Sequence, residues 1–153
     1  MRLRAARRDD FEAVARLLEE LGRPALTDAT EADCRALYEA EIVEPDTHHI
    51  VVETDSAGVV AFASMYFRGR LNQATEEAWL ADLIVTARAR RAGIGRMLLE
   101  EAERRARERG CYALALESAY HRAEAHHMYR QFRMRDVGKA FYKLLRPAAG
   151  ASR

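Results

Sequence analysis

Apolar positions along the chain recur with two different periods, and the switches between them outline the elements. Phe11, Val14, Ala15 and Leu18 are spaced i, i+3, i+4, i+7, which predicts a helix with one buried stripe. Asp9, with Glu12 three residues on, is placed to cap its start, and Gly22 and Pro24 stop it. A short strand begins ahead of it at Leu3, and residues 30–43 read as a second helix using Leu37, Tyr38 and Ile42, closed by Pro45. β-Branched and aromatic runs at residues 50–53 and 59–67, separated by Asp55-Ser56-Ala57-Gly58, predict a hairpin. Residues 68–75 read as a polar connecting loop. Residues 78–85 read as a further strand, too apolar for an exposed edge apart from Asp82 in its middle.

The helical period returns over residues 96–109, where Leu98, Leu99, Ala102 and Ala106 make the apolar stripe. Glu100 with Arg104, Glu101 with Arg105 and Glu103 with Arg107 are i, i+4 pairs in the favourable order. Gly110 closes that helix, and residues 111–117 form a short buried strand. Ala125, Met128, Tyr129 and Phe132 mark a last short helix, and residues 141–145 a final strand. The order β-α-α-β-β-β-α-β-α-β predicts a mixed α/β sheet. Residues 1–146 are expected to form one domain, followed by a flexible tail at 147–153.

Composition narrows the function classes. The 153 residues are 49% hydrophobic, enough for one core without metal or disulfide staples. Basic and acidic residues number 25 and 24, for a net charge of +1, which argues against a nucleic-acid binder. No apolar run approaches the roughly 20 residues a membrane helix needs, and the charged first residues are not a signal peptide. Cys34 and Cys111 lie far apart and outside any Cys-x-x-Cys spacing, so a reduced, cytoplasmic setting is expected, with no thiolate zinc site. His121, His126 and His127 have no His-Glu-x-x-His frame, and His48-His49 precedes a strand, so both groups read as surface or packing histidines and no metal is expected.

The stretch with chemical content is Val85-Thr86-Ala87-Arg88-Ala89-Arg90-Arg91-Ala92-Gly93-Ile94-Gly95-Arg96. A buried strand ends, a loop with two glycines follows, and a long helix begins. Such a loop aims free backbone N–H groups at one spot where the helix dipole also favours negative charge. Gly93 and Gly95 let an anion approach the backbone, and four arginines with no acid make the local field positive. A diphosphate would fit; the alternative is a tight turn with solvated arginines.

Arg90-x-x-Gly93-x-Gly95 after a strand ending in Val85 resembles the acyl-CoA-binding motif of the GNAT family of N-acetyltransferases. Glu117-Ser118, then Arg122-x-x-Ala125-His126-x-x-Tyr129, then Gly138-x-x-Phe141, are similar to that family's second half, and the element order agrees over essentially the whole chain. The Asp82-Leu83-Ile84-Val85 and Ser118…Tyr129 patterns are similar to small-molecule amine acetyltransferases. The resemblance implies a GNAT fold, a mostly antiparallel twisted sheet splayed between its fourth and fifth strands and flanked by helices. It also implies acetyl-CoA as donor, a small-molecule primary amine as acceptor, direct transfer in a ternary complex, no metal and a homodimer as a common assembly.

By the same resemblance, the backbone around Arg90, Arg91, Ala92, Gly93, Ile94, Gly95 and Arg96 would hold the pyrophosphate. The main chain of Leu83, Ile84 and Val85 would pair with the pantetheine arm. Ser118, Arg122 and Ala125 would face the cofactor, and Tyr129 would protonate the departing thiolate. Read from spacing alone, Tyr129 lies on an apolar stripe and could merely pack. The family's usual base position holds Trp79, which would line the acceptor pocket or belong to the core. That leaves Glu77, acting through water, and Asp82, which simple alternation puts on the opposite strand face unless a bulge intervenes. Arg23, Arg68, Arg70, Asn72 and Gln73 lie in the expected acceptor loops and suggest an acceptor carrying an acid group. Trp79 at the base position also leaves open a non-catalytic acyl-CoA sensor of the same fold.

Overall fold

The computed structural model describes residues 1–145. They fall into two compact units, one spanning Met1–Leu116 and one beginning at Glu117. The expected tail at 147–153 lies outside the described residues.

The first unit holds β1 (Arg2–Ala5), α1 (Phe11–Leu21), α2 (Glu31–Glu41), β2 (Thr47–Thr54), β3 (Gly58–Arg70), β4 (Thr75–Val85), α3 (Ile94–Glu108) and β5 (Ala113–Leu116). The five strands make one sheet in sequence order, antiparallel from β1 to β4 and parallel between β4 and β5. A parallel pair needs a crossover, and α3 supplies it. One sheet face, with Val51, Phe62 and Ile84, packs on Phe11, Val14 and Leu17 of α1 and Tyr38 of α2. The opposite face carries Ile50, Val52, Ala61, Ala63, Met65 and Leu80, and α3, which packs on β3 and β4, buries the expected Leu98, Leu99, Ala102 and Ala106 together with Ile94. Fully burying a leucine such as Leu98 or Leu99 contributes roughly 1.5–3 kcal/mol.

The differences from the sequence reading have local causes. Asp10, not Asp9, ties down the start of α1: it accepts the Arg7 N–H at 2.7 Å and two Arg4 N–H bonds at 2.7 and 2.8 Å. Arg68, Gly69 and Arg70 are not loop but strand, because they continue the β3–β4 ladder opposite Glu77, Glu76 and Thr75, which leaves only residues 71–74 to make the turn. On α3, Glu101 pairs with Arg105 and Glu103 with Arg107 as expected, but Glu100 turns back to Arg96 at 2.8 Å, and Arg104 bridges Glu101 and Glu108.

The second unit contains α4 (Ala123–Gln131). The expected strand at 141–145 does not form: Phe141, Tyr142 and Leu145 are 95%, 87% and 91% exposed, and no described strand pairs with them. Strand propensity makes a strand only where a neighbour offers a hydrogen-bonding ladder. Among the described residues, no helix is long and apolar enough to cross a membrane.

Candidate active site

β5 pairs with β4 only over Glu77–Leu80, so Ala81 to Val85 continue without a β5 neighbour, the expected splay. At the point where that pairing stops, the β3–β4 register slips: Met65 faces Leu80, Ser64 faces Asp82, and Ala81 is the extra residue of a bulge. A bulge resets the in–out alternation of a strand. It therefore turns Asp82 onto the face shared by Glu77 and Trp79, correcting the opposite-face placement that unbroken alternation predicts.

Each member of this row is held. The Ser64 hydroxyl donates to Asp82 Oδ2 at 2.8 Å, and Arg23 donates to Oδ1 from Nε and Nη2 at 2.9 and 2.7 Å. Arg23 reaches Asp82 because Gly22, at φ 102°, closes α1 in a left-handed turn whose N–H bonds Glu19, while Arg23 N–H bonds Leu18. Glu77 is buried; its carboxylate takes Arg68 Nε at 2.8 Å and the Tyr112 hydroxyl at 3.3 Å. The Arg68 guanidinium also lies 4.7 Å from the Trp79 ring centroid, and Trp79 packs against Tyr66 at 5.9 Å. Arg23 and Arg68, two of the three arginines behind the expectation of an acidic acceptor, are thus occupied by carboxylates.

Between this row and helices α1 and α2 lies a cavity of about 250 Å³ that reaches Asp82, Ser64 and Tyr66 on the sheet. Tyr66, not Trp79, lines it on that side. Glu41 of α2 accepts the Tyr66 hydroxyl at 3.1–3.2 Å and lies 2.8 Å from Nε2 of buried His49. Burial and the neighbouring Glu41 carboxylate push the Tyr66 hydroxyl well above its ordinary range, so it stays a donor.

Beyond Val85 the chain passes a short 3-10 turn and enters α3 through Gly93, at φ 76°. Arg91 is also left-handed, at φ 64°, an uncommon conformation for a residue with a side chain. No side chain caps α3, the first helical N–H to find a backbone acceptor is that of Met97, and a Cβ at Gly93 would meet nothing within 4 Å. Ile94 is buried and anchors this turn, while Arg88, Arg90, Arg91 and Arg96 are exposed around it. Open amides and flanking arginines fit an anionic group such as a diphosphate. Glu20 of α1 braces the approach: it accepts Ala87 N–H at 2.6 Å and the Thr86 hydroxyl at 2.9 Å, and Arg90 sits 3.5 Å away while donating to the Val85 carbonyl at 3.2 Å.

In the second unit Tyr129 is the buried residue of α4. Burial pushes its hydroxyl above the ordinary phenol range, against a smaller opposing effect of Arg122, so the phenol keeps its proton. Arg122 precedes the helix and Ala125 is half-buried; the Ser118 hydroxyl oxygen is buried and has no hydrogen-bond partner among the described residues. After Gln131 the chain leaves α4 through Arg133, left-handed at φ 63°. Among the described residues no cluster of histidine, cysteine and acidic side chains is placed to hold a metal ion.

Glu20, Glu41, Ser64 and Tyr66 had no signal in the sequence, since each acquires its role from a partner on another element, and His49, expected as a surface or packing histidine, is buried against Glu41.

The acetyltransferase (GNAT) family model matches residues 11–133. The chain belongs to the GNAT family. It is 43% identical over 54 residues to YhdJ, an uncharacterized N-acetyltransferase of Bacillus subtilis (strain 168); the match spans 35% of this chain and 38% of that relative. Among solved structures, a transcriptional regulator from Bacillus halodurans C-125 superposes with TM-score 0.86 at 21% identity, covering 94% of this chain and 99% of that one. Glucosamine-6-phosphate N-acetyltransferase from Arabidopsis thaliana superposes with TM-score 0.81 at 18% identity, covering 95% and 98%. These two likenesses establish the GNAT fold.

Proposed function

We propose that this GNAT protein transfers an acetyl group from acetyl-CoA to a primary amine of a small molecule by direct attack in a ternary complex. The observation that carries the reading is the uncapped start of α3, opened by Gly93 and ringed by arginines, one short turn after the end of β4 whose β5 side is open. Bound acetyl-CoA would supply the activated acetyl thioester. The amides of residues 91–96, with Arg90, Arg91 and Arg96, hold the diphosphate, and the free edge of Leu83, Ile84 and Val85 takes the pantetheine arm as an added strand. By the family resemblance, Ser118, Arg122 and Ala125 of the second unit would face the cofactor. Tyr129, buried and protonated, donates to the leaving sulfur. Asp82, the carboxylate of the β4 row that lines the cavity, orients the amine and receives its proton. Glu77, already committed to Arg68 and Tyr112, keeps Arg68 over Trp79.

The reading takes residues 1–146 as one domain acting in the cytoplasm, as a homodimer that light scattering would detect. Acetyl-CoA is expected to raise the melting temperature, and thiol release is expected with an amine panel. Tyr129→Phe should lower kcat by about 10²–10⁴ with little change in acetyl-CoA affinity. Stabilisation by acetyl-CoA without thiol release from any amine would instead identify a non-catalytic acyl-CoA sensor, and no stabilisation would refute both.

A further inference from the structure

The cavity between α1, α2 and the sheet has a chemistry that selects among amines. Its volume, about 250 Å³, falls below the roughly 300–1,000 Å³ usual for drug-sized ligands. Phe11, Val14, Leu18, Leu26 and Phe62 line it, so its body is apolar. Its polar groups gather on one side. Asp82 there is neutralised by the bidentate Arg23. Glu41 has no such partner: it is met by the Tyr66 hydroxyl and by His49, an imidazole that carries charge only when protonated. Among the described residues, the cavity therefore offers one carboxylate without a fixed counter-charge, and the guanidinium that lines it, that of Arg23, is engaged by Asp82. Its sheet wall at Asp82 lies two residues beyond Leu80, the last residue of β4 paired with β5, so an amine held there stands beside the free stretch of β4.

We propose that the acceptor is a small primary monoamine with an aromatic or branched aliphatic body and no acidic group, its nitrogen held on the polar side of this cavity by Glu41, which anchors the ammonium, and by Asp82, which takes its proton, and its body filling the apolar end. This rests on the acetyltransferase reading above, and it excludes amino acids, aminophosphonates, polyamines and amino sugars. An acid would meet Glu41, a second ammonium would have to enter the apolar end, and a polyhydroxylated ring would lose its hydration against Phe11, Leu18 and Phe62.

Two measurements on the full chain test it. In a thiol-release assay, phenethylamine and isoamylamine should exceed L-phenylalanine, aminomethylphosphonate, spermidine and glucosamine by at least tenfold in kcat/KM. Calorimetric titration of phenethylamine into the protein held with CoA reads the cavity without turnover, so its result stands even if no amine is acetylated. Glu41→Gln should weaken phenethylamine at least tenfold while leaving the thermal shift by acetyl-CoA unchanged. Leu26→Trp, which fills the apolar end, should exclude phenethylamine but not methylamine. Preference for any acidic, polycationic or sugar amine, or phenethylamine binding that is no tighter than that of L-phenylalanine, would overturn this assignment and leave the acetyltransferase reading standing. Thiol release from no amine, with phenethylamine still bound, would overturn the enzyme and keep the cavity's selectivity.

Discussion

Two glycines of the first unit provide a matched pair. Gly93 opens α3 at φ 76° and Gly110 follows its end at φ 77°, and an added Cβ would meet no atom within 4 Å at either position. Alanine at each should therefore cost only what the backbone demands. Holding an L-residue left-handed costs about 1–2 kcal/mol, and the stiffer unfolded chain returns about 0.4–1 kcal/mol of that. The net loss is at most about 1.6 kcal/mol at either site, a fall in melting temperature of no more than roughly 6 °C for a chain of this size. The two variants should thus melt together in the absence of ligand. They should separate when acetyl-CoA is titrated. At Gly93 the methyl group would stand where the proposed cradle receives the diphosphate, and affinity should fall at least about tenfold, or ~1.4 kcal/mol. At Gly110, at the far end of the helix, it should not change. Isothermal titration of both variants decides the matter. Equal affinities in Gly93→Ala and Gly110→Ala would refute the assignment of this loop as the phosphate cradle, and unequal melting without ligand would refute the backbone reasoning.

Other expectations concern the frame around the site. Asp10 is nearly buried, and although burial opposes its charge, the bonds from Arg4 and from Arg7 N–H together hold its carboxyl below the ordinary carboxylate range. A depressed carboxyl lends stability that is full above about pH 4 and lost as pH falls through the folded value. Asp10→Asn should cost about 2–4 kcal/mol at neutral pH, the smaller figure if Glu53, which also binds Arg4 at 2.7 and 2.9 Å, retains it; urea melts at pH 7 and pH 3 should then differ less in the variant than in the parent. Arg133 holds a left-handed conformation just after α4, with Met134 N–H bonded to Tyr129 O at 3.0 Å. Arg133→Gly should raise stability by about 0.5–1 kcal/mol, seen as a higher urea midpoint; a lower midpoint would count against the strain. Leu99→Ala, at a fully buried position of α3, should cost about 2–5 kcal/mol in the same assay.

Periodicity carried the elements well. The stripe of Leu98, Leu99, Ala102 and Ala106 repeats over about two turns, and the hairpin at Asp55-Ser56-Ala57-Gly58 combines a turn sequence with β-branched flanks, so neighbours in the chain suffice to specify both. The glycines before α3 were readable for the same reason. Asp82 was not, because alternation is counted residue by residue and the bulge at Ala81 is set by how β4 lies against β3. Glu20 and Glu41 look like ordinary solvent-facing acids of amphipathic helices; only packing brings Glu20 to Thr86 and Ala87, 66 and 67 residues away in sequence, and Glu41 to Tyr66. The aromatic run at 141–145 misled in the opposite sense, having the composition of a strand and no ladder to join.

Ala81 acts as a phase slip in β4. Upstream of it, Ala78 and Leu80 point toward α3; downstream, the slip hands that duty to Leu83 and frees Asp82 to face the cavity. Were Ala81 instead paired regularly in the ladder, unbroken alternation would drive the Asp82 carboxylate into the apolar layer beneath α3 and bring Leu83 round to face the cavity. One small side chain with no chemistry of its own thus decides on which side of the sheet the acid stands.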